Sequence, residues 1–158
     1  MSPVLHLAVQ YPSQRDCPSR PQLRRWIIAA LRAAEVASEA RLVLRFVDAA
    51  EGRALNRAYR QKDYATNVLT FGYETDDSVN ADIVLCAPVV EKEARQQRKA
   101  PHDHYAHMVV HGVLHACGFE HDDDDDDAKT MEALEKSILA GFRIDDPYVA
   151  AAREARSG

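Results

Sequence analysis

Residues 107–122 of the chain read HMVVHGVLHACGFEHD, and within them His111, His115 and His121 stand in the spacing HxxxHxxGxxH. Imidazoles four residues apart on an α-helix lie on one face, about 6 Å apart along the axis, close enough to share one ion. A helix continued to His121 would carry it about 15 Å beyond His111, so the chain has to turn back first. Gly118 stands where that turn is needed, because glycine takes a positive φ without a Cβ clash. Neutral imidazoles suit zinc, and three of them leave a fourth position open, as in catalytic rather than closed structural sites. The competing trio is His107, His111 and His115, but the outer two would lie about 12 Å apart along the axis, too far for one ion. The expected cofactor is therefore one Zn2+ held by His111, His115 and His121. His102, His104 and His107 are expected at the surface, in the core or behind the ligands.

A helix carrying these ligands must itself be held. From Pro101, the residues Tyr105, Met108, Val109, Gly112, Val113 and Ala116 recur at helical spacing, with His107, His111 and His115 as a second stripe. A helix apolar on most of its circumference is expected to be buried, its histidines facing inward or into a cleft. Around it, Val4–Gln10, Arg41–Asp48, Asn67–Tyr73 and Ala81–Ala87 read as strands, the last with a buried acid, Asp82. Ser19 and Pro21 open a helix whose apolar residues run from Leu23 to Ala34. A second helix, Ala50–Arg60, pairs an inward stripe of Leu55, Ala58 and Tyr59 with a basic one of Arg53, Arg57 and Arg60. Pro88 opens a charged helix to about Arg98. Ala128–Ala140 is helical with Met131, Leu134 and Ile138 inward. The run Asp122–Asp127 lacks the spaced acids, glycine and closing glutamate of a calcium loop, and reads as a solvated loop or helix start.

At 158 residues, 46% hydrophobic and 28% charged, the chain is expected to form one domain over residues 1–158, with 145–158 as a fraying tail. The longest apolar run, Trp26–Leu31, is far too short to cross a bilayer, and residues 1–12 lack the pattern of a secretory signal; the expectation is a cytoplasmic protein with no membrane partner. Cys17, Cys86 and Cys117 form no CxxC, which suits a reducing compartment, with Cys117 a small buried thiol. The net charge of −5 disfavours a nucleic-acid partner, but its distribution does not: residues 1–72 carry 11 Lys/Arg against 6 Asp/Glu, and residues 73–158 carry 9 against 19. A basic face can bind phosphates on an acidic protein when the acids lie elsewhere.

The histidine pattern is similar to the HExxHxxGxxH of metzincin-type proteases, except that Gly112 stands where those enzymes place the glutamate that deprotonates water. Without that base, peptide hydrolysis loses its mechanism. A second resemblance covers more of the chain. HGVLHACGFEH is similar to the HGxLHLxGYDH signature of the YbeY family of ribosome-associated endoribonucleases, which process ribosomal RNA. LNRAYRQKDYATNVLTF resembles that family's LNxxYRxxDxxTDVLSF, ADIVLC its GDIxI strand, and MEALE its following helix, in the same order from Leu55 to Leu139.

The resemblance implies an α+β fold, a mixed four-stranded sheet with one antiparallel strand and helices packed on it. It implies zinc ligands at His111, His115 and His121 and a catalytic arginine beside the metal at Arg60. The departures are Asn67 for aspartate, Thr70 for serine, Gly72 for proline, Ala81 for glycine, Phe119 for tyrosine and Glu120 for aspartate; none removes a ligand. The expected function is a zinc-dependent, single-strand-specific endoribonuclease of rRNA maturation and ribosome quality control, with the ribosome or its small subunit as partner. Zinc would polarise a phosphate oxygen or acidify bound water, Arg60 would stabilise phosphoryl charge, and Arg53 and Arg57 would guide the strand. The alternatives are a non-catalytic zinc-containing ribosome assembly or RNA-binding factor, and a metal-dependent hydrolase of another substrate.

Overall fold

The computed structural model describes residues 3–13, 15–36, 38–73, 78–119 and 125–148. His121, the aspartates 122–124 and the tail beyond Tyr148 lie outside the described residues. In chain order the elements are β1 (Val4–Gln10), α1 (Arg20–Ala33), β2 (Glu39–Val47), α2 (Ala49–Arg60), β3 (Val68–Gly72), β4 (Val79–Cys86), α3 (Ala87–Gln96), α4 (Pro101–Ala116) and α5 (Asp125–Ala140). The strands form one sheet in the order β1-β2-β4-β3. β1, β2 and β4 are parallel, with Leu7 opposite Leu42 and Leu44 opposite Ile83. β3 runs antiparallel to β4, with Thr70 opposite Ile83. This is the mixed α+β sheet expected.

Local chemistry accounts for the helices that matter most. α1 starts where the Ser19 side chain accepts from the Gln22 N–H at 3.4 Å, with a proline in its first turn. Its inner face, Leu23, Trp26, Ile27, Ala30 and Leu31, is fully buried, and each large side chain so placed stabilises the fold by roughly 2 kcal/mol. With α4 and α5 it covers one face of the sheet over Leu42, Leu44, Phe46, Ile83 and Leu85. A smaller core of Val47, Leu69, Val84 and Cys86 lies on the other face, under Leu55 of α2 and Val89 of α3. α4 is buried on nearly its whole circumference, from His104 to Val110 and from Gly112 to Leu114, as its composition predicts.

Two inward stripes differ from expectation. On α2 the buried residues are Gly52 and Asn56, while Ala58 and Tyr59 face out. Asn56 takes the inner position because its Nδ2 donates to the Tyr64 carbonyl at 2.7 Å, tying the loop after α2 back to the helix. On α5 the buried stripe is Met131, Glu135, Ile138 and Leu139, with Leu134 only partly covered. α5 also begins three residues earlier than Ala128, at Asp125. Asp82 is half-buried rather than buried and accepts from the Tyr73 hydroxyl at 2.6 Å. Cys117 is partly buried, and burial pushes its thiol up to about 11.

Candidate active site

α4 delivers the histidines, and its ending is built to turn the chain. The Gly118 N–H bonds the His115 carbonyl at 3.0 Å and the Phe119 N–H bonds the Leu114 carbonyl at 3.1 Å, a pair that closes the helix with Gly118 at φ 101°. The helix therefore ends in a turn at Gly118, where the spacing requires one, and His121 lies outside the described residues. Down one side of α4 the rings of His104, His107, His111 and His115 follow one another, the last two with centroids 5.2 Å apart.

His111 and His115 open on a cleft of about 590 Å³ whose other walls include Arg60, Asn67, Thr70 and Phe71. Arg60 is the last residue of α2, exposed, and the helix stops there because Gln61 adopts a left-handed conformation. The structure thus brings Arg60, His111 and His115 together on one cleft. No group of three His, Cys, Asp or Glu side chains poised to hold a metal is present among the described residues, which contain two of the three expected ligands. Arg53 does not join them: its guanidinium holds both carboxylate oxygens of Asp63, at 2.8 and 2.9 Å. Arg57 is exposed on the same helix, one turn before Arg60.

The least anticipated residue is Glu135 of α5, fully buried behind the histidines. Its Oε1 accepts from His111 Nδ1 at 2.9 Å and its Oε2 from His107 Nε2 and from the Tyr148 hydroxyl, both at 2.6 Å. Burial pushes the Glu135 carboxyl up, but the hydrogen bonds from His107 and His111 outweigh it and hold it down at about 2, so it is ionised. Burial lowers the His107 pKa more than Glu135 raises it, so that ring is neutral and donates from Nε2. With the Nδ1 proton of His111 committed to Glu135, its Nε2 is the nitrogen left to ligate. A carboxylate behind a histidine in this way fixes tautomer and ring orientation at metal sites, so the donor set fits a zinc ion. Glu135 was detectable in the sequence as an acid on the apolar stripe of its helix. Tyr148 carried no signal, falling in the stretch expected to fray.

His104 is engaged elsewhere. Its Nε2 meets Glu93 Oε1 at 2.8 Å, and Glu93 also accepts from Asn67 Nδ2 at 3.1 and 3.3 Å. Burial pushes the Glu93 carboxyl up, and the bonds from His104 and Asn67 carry it below its ordinary value instead. An aspartate at position 67 would face that carboxylate, which explains an amide there. His102, exposed, packs edge-on to Trp26 at 5.0 Å.

Gly112, in the position of the missing base, points into the sheet rather than the cleft: a Cβ there would lie 2.9 Å from Ile83 Cγ2. Gly112→Ala is therefore expected to lose stability. Overpacking costs about 1–3 kcal/mol and helix propensity returns about 1, leaving a net loss of roughly 1 kcal/mol in urea unfolding. A raised midpoint would mean that α4 can lift off Ile83 freely.

Comparisons with known proteins identify the family. The family described as Endoribonuclease YbeY matches residues 13–143. A Cupriavidus metallidurans protein named Endoribonuclease YbeY is 53% identical over 152 residues, covering 92% of this chain and 74% of that one. One of the same name from Thiobacillus denitrificans is 52% identical over 151 residues, covering 94% and 99%. The solution structure of the Thermotoga maritima protein TM1509 is similar in fold, with a TM-score of 0.60 at 23% identity over 84% of this chain and 86% of that one. A family match across most of the chain, and relatives about half identical over nearly all of it, leave one conclusion: this chain belongs to the YbeY family, whose members are named endoribonucleases.

Proposed function

We propose that the chain is a metal-dependent endoribonuclease that cuts single-stranded RNA, with one zinc ion held by His111, His115 and His121. The observation that carries this reading is that His111 and His115 share a cleft with Arg60, with His111 oriented by Glu135. Zinc, when bound, would supply a Lewis acid toward a phosphate oxygen. The remaining work falls to the chain's own groups. Glu135 holds the His111 proton on Nδ1 and keeps Nε2 turned outward. Arg60, planar and permanently charged, binds the non-bridging phosphate oxygens and stabilises the charge that grows on them in the transition state. Arg57 adds a screened attraction for the neighbouring phosphate, so affinity falls as salt rises.

Ribosomal RNA is the substrate this reading favours, in maturation and quality control of the ribosome, with the ribosome or its small subunit as partner in the cytoplasm. Its support is the motif resemblance from Leu55 to Leu139. No helix among the described residues is long and apolar enough to cross a membrane.

The test is incubation of metal-quantified protein with unstructured and structured RNA, with and without chelator. Unstructured RNA is expected to be cut, structured RNA spared, and cutting lost to chelator and restored by zinc. Replacing His111 and His115 together with alanine should abolish metal content; zinc retained by that variant overturns the ligand set. RNA bound but never cut, in a protein that chelation unfolds, would instead identify a non-catalytic RNA-binding or ribosome assembly factor with structural zinc. Cleavage of peptide but not RNA would identify a hydrolase of another substrate.

A further inference from the structure

Resting on the endoribonuclease reading, we propose that Tyr59, backed by Phe71, is a stacking platform for an unpaired nucleobase adjoining the phosphate at Arg60. Tyr59 is 67% exposed although its helical spacing from Leu55 predicts burial. The buried amide of Asn56 occupies the inner face of that turn, and Tyr59 is displaced to the rim beside Arg60. Its ring is not loose there: it meets the Phe71 ring edge-on, with centroids 4.9 Å apart. Phe71 thus holds a large, mostly solvent-facing aromatic in place, a platform of the kind on which single-stranded nucleic acids stack their bases.

What lies beyond Tyr59 gives the base somewhere to go. Tyr59 and Phe71 line the histidine cleft and also a second hollow of about 640 Å³ on the α2 side of the sheet. They are the residues the two hollows share. The second hollow has apolar walls at Val43, Leu55 and Val84, and its charged groups are already engaged. Arg45 Nη2 donates to Glu51 at 3.0 Å, and Asp82 accepts from the Tyr73 hydroxyl. A phosphate would find its cation already neutralised there and two carboxylates nearby, whereas a nucleobase would find apolar surface with polar groups at its edge. The charge pattern therefore divides a nucleotide in two. The phosphate sits on the Arg60 side of the ridge and the base crosses it onto Tyr59. Because Tyr59 and Arg60 are consecutive, the base so held belongs to the nucleotide whose phosphate Arg60 contacts or to its immediate neighbour. Stacking accepts every base, since each has a π-face, so the platform selects unpaired strands rather than a sequence. A base inside a duplex, already stacked and paired, cannot reach it.

The test uses a short single-stranded RNA carrying 2-aminopurine, whose fluorescence is quenched on stacking, with zinc-loaded protein. Tyr59→Leu removes the ring, Tyr59→Phe keeps it, and Tyr64→Leu alters another exposed tyrosine, 58% exposed, that lines neither hollow. Wild type, Tyr59→Phe and Tyr64→Leu are expected to bind alike and quench. Tyr59→Leu is expected to bind roughly tenfold more weakly without quenching and to raise KM for cleavage by a similar factor, with kcat little changed. Binding and quenching by Tyr59→Leu equal to wild type would overturn the platform and leave the nuclease reading intact. Tyr59-dependent quenching by a wild type that cuts no RNA would overturn the nuclease reading and keep the platform. A wild type that binds no single-stranded RNA overturns both.

Discussion

Arg60→Ala is expected to lower cleavage of single-stranded RNA by about 10²–10³-fold, the usual loss when one preorganised donor to a developing oxyanion is removed. It is expected to do so without unfolding the protein or releasing metal. The side chain is exposed at the end of α2, and no carboxylate among the described residues lies within ion-pair reach of it. Its removal therefore breaks no ion pair among the described residues, and stability should move by no more than about 0.5 kcal/mol. The backbone around it is held independently of its side chain, by the left-handed turn at Gln61 and by the Asn56 amide on the Tyr64 carbonyl. Arg60→Lys keeps the charge but loses the planar two-pronged donor that matches a phosphate, and should recover only part of the rate. Single-turnover cleavage of end-labelled RNA, with zinc content measured on the same samples, distinguishes these outcomes. Full activity in Arg60→Ala would remove this residue from the mechanism.

Much of this arrangement is legible in the residues because the signals are local. Ser19 and Pro21 mark the start of α1, and Gly118 marks the turn after α4, since a cap or a positive φ depends on few neighbours. Strands with β-branched residues declare themselves within a few positions, and all four do. Strand order is not local: that β4 inserts between β2 and β3 depends on pairings between distant segments, and neither periodicity nor the resemblance, which implied only a mixed four-stranded sheet with one antiparallel strand, stated it. Burial fails where a polar side chain finds a partner that periodicity cannot anticipate. Asn56 goes inward because Tyr64 offers it a carbonyl, and Tyr59 goes outward as a consequence. Glu135 goes inward because two histidines, 24 and 28 residues earlier, and one tyrosine meet it there. Both exceptions lie at the candidate site, where local rules are most often set aside for function.

The cluster behind His111 leads to the second large effect. Glu135→Ala removes the acceptor of three hydrogen bonds and leaves the His107 Nε2–H, the His111 Nδ1–H and the Tyr148 hydroxyl facing a void. Each buried donor left unsatisfied costs about 1–3 kcal/mol, so a loss of about 3 kcal/mol or more is expected in urea unfolding of the metal-free protein. Zinc affinity should fall about 10–100-fold, the range for outer partners of ligating histidines. Glu135→Gln separates the two consequences. The amide has nearly the shape of the carboxylate, so the void is gone, but it has one acceptor oxygen and one NH2 where two acceptors are needed. If the oxygen stays with His107, the NH2 faces His111 and drives its proton to Nε2, the nitrogen required by the metal. Glu135→Gln should therefore keep most of the stability that Glu135→Ala loses while still losing zinc affinity, measured by competition with a chromogenic chelator. If the amide variant binds zinc as wild type does, Glu135 serves packing alone and does not orient His111. If both variants lose stability and affinity in proportion, metal binding reports the integrity of α4 and α5 rather than the tautomer of one ring. The orienting role requires affinity to fall in the variant whose fold survives.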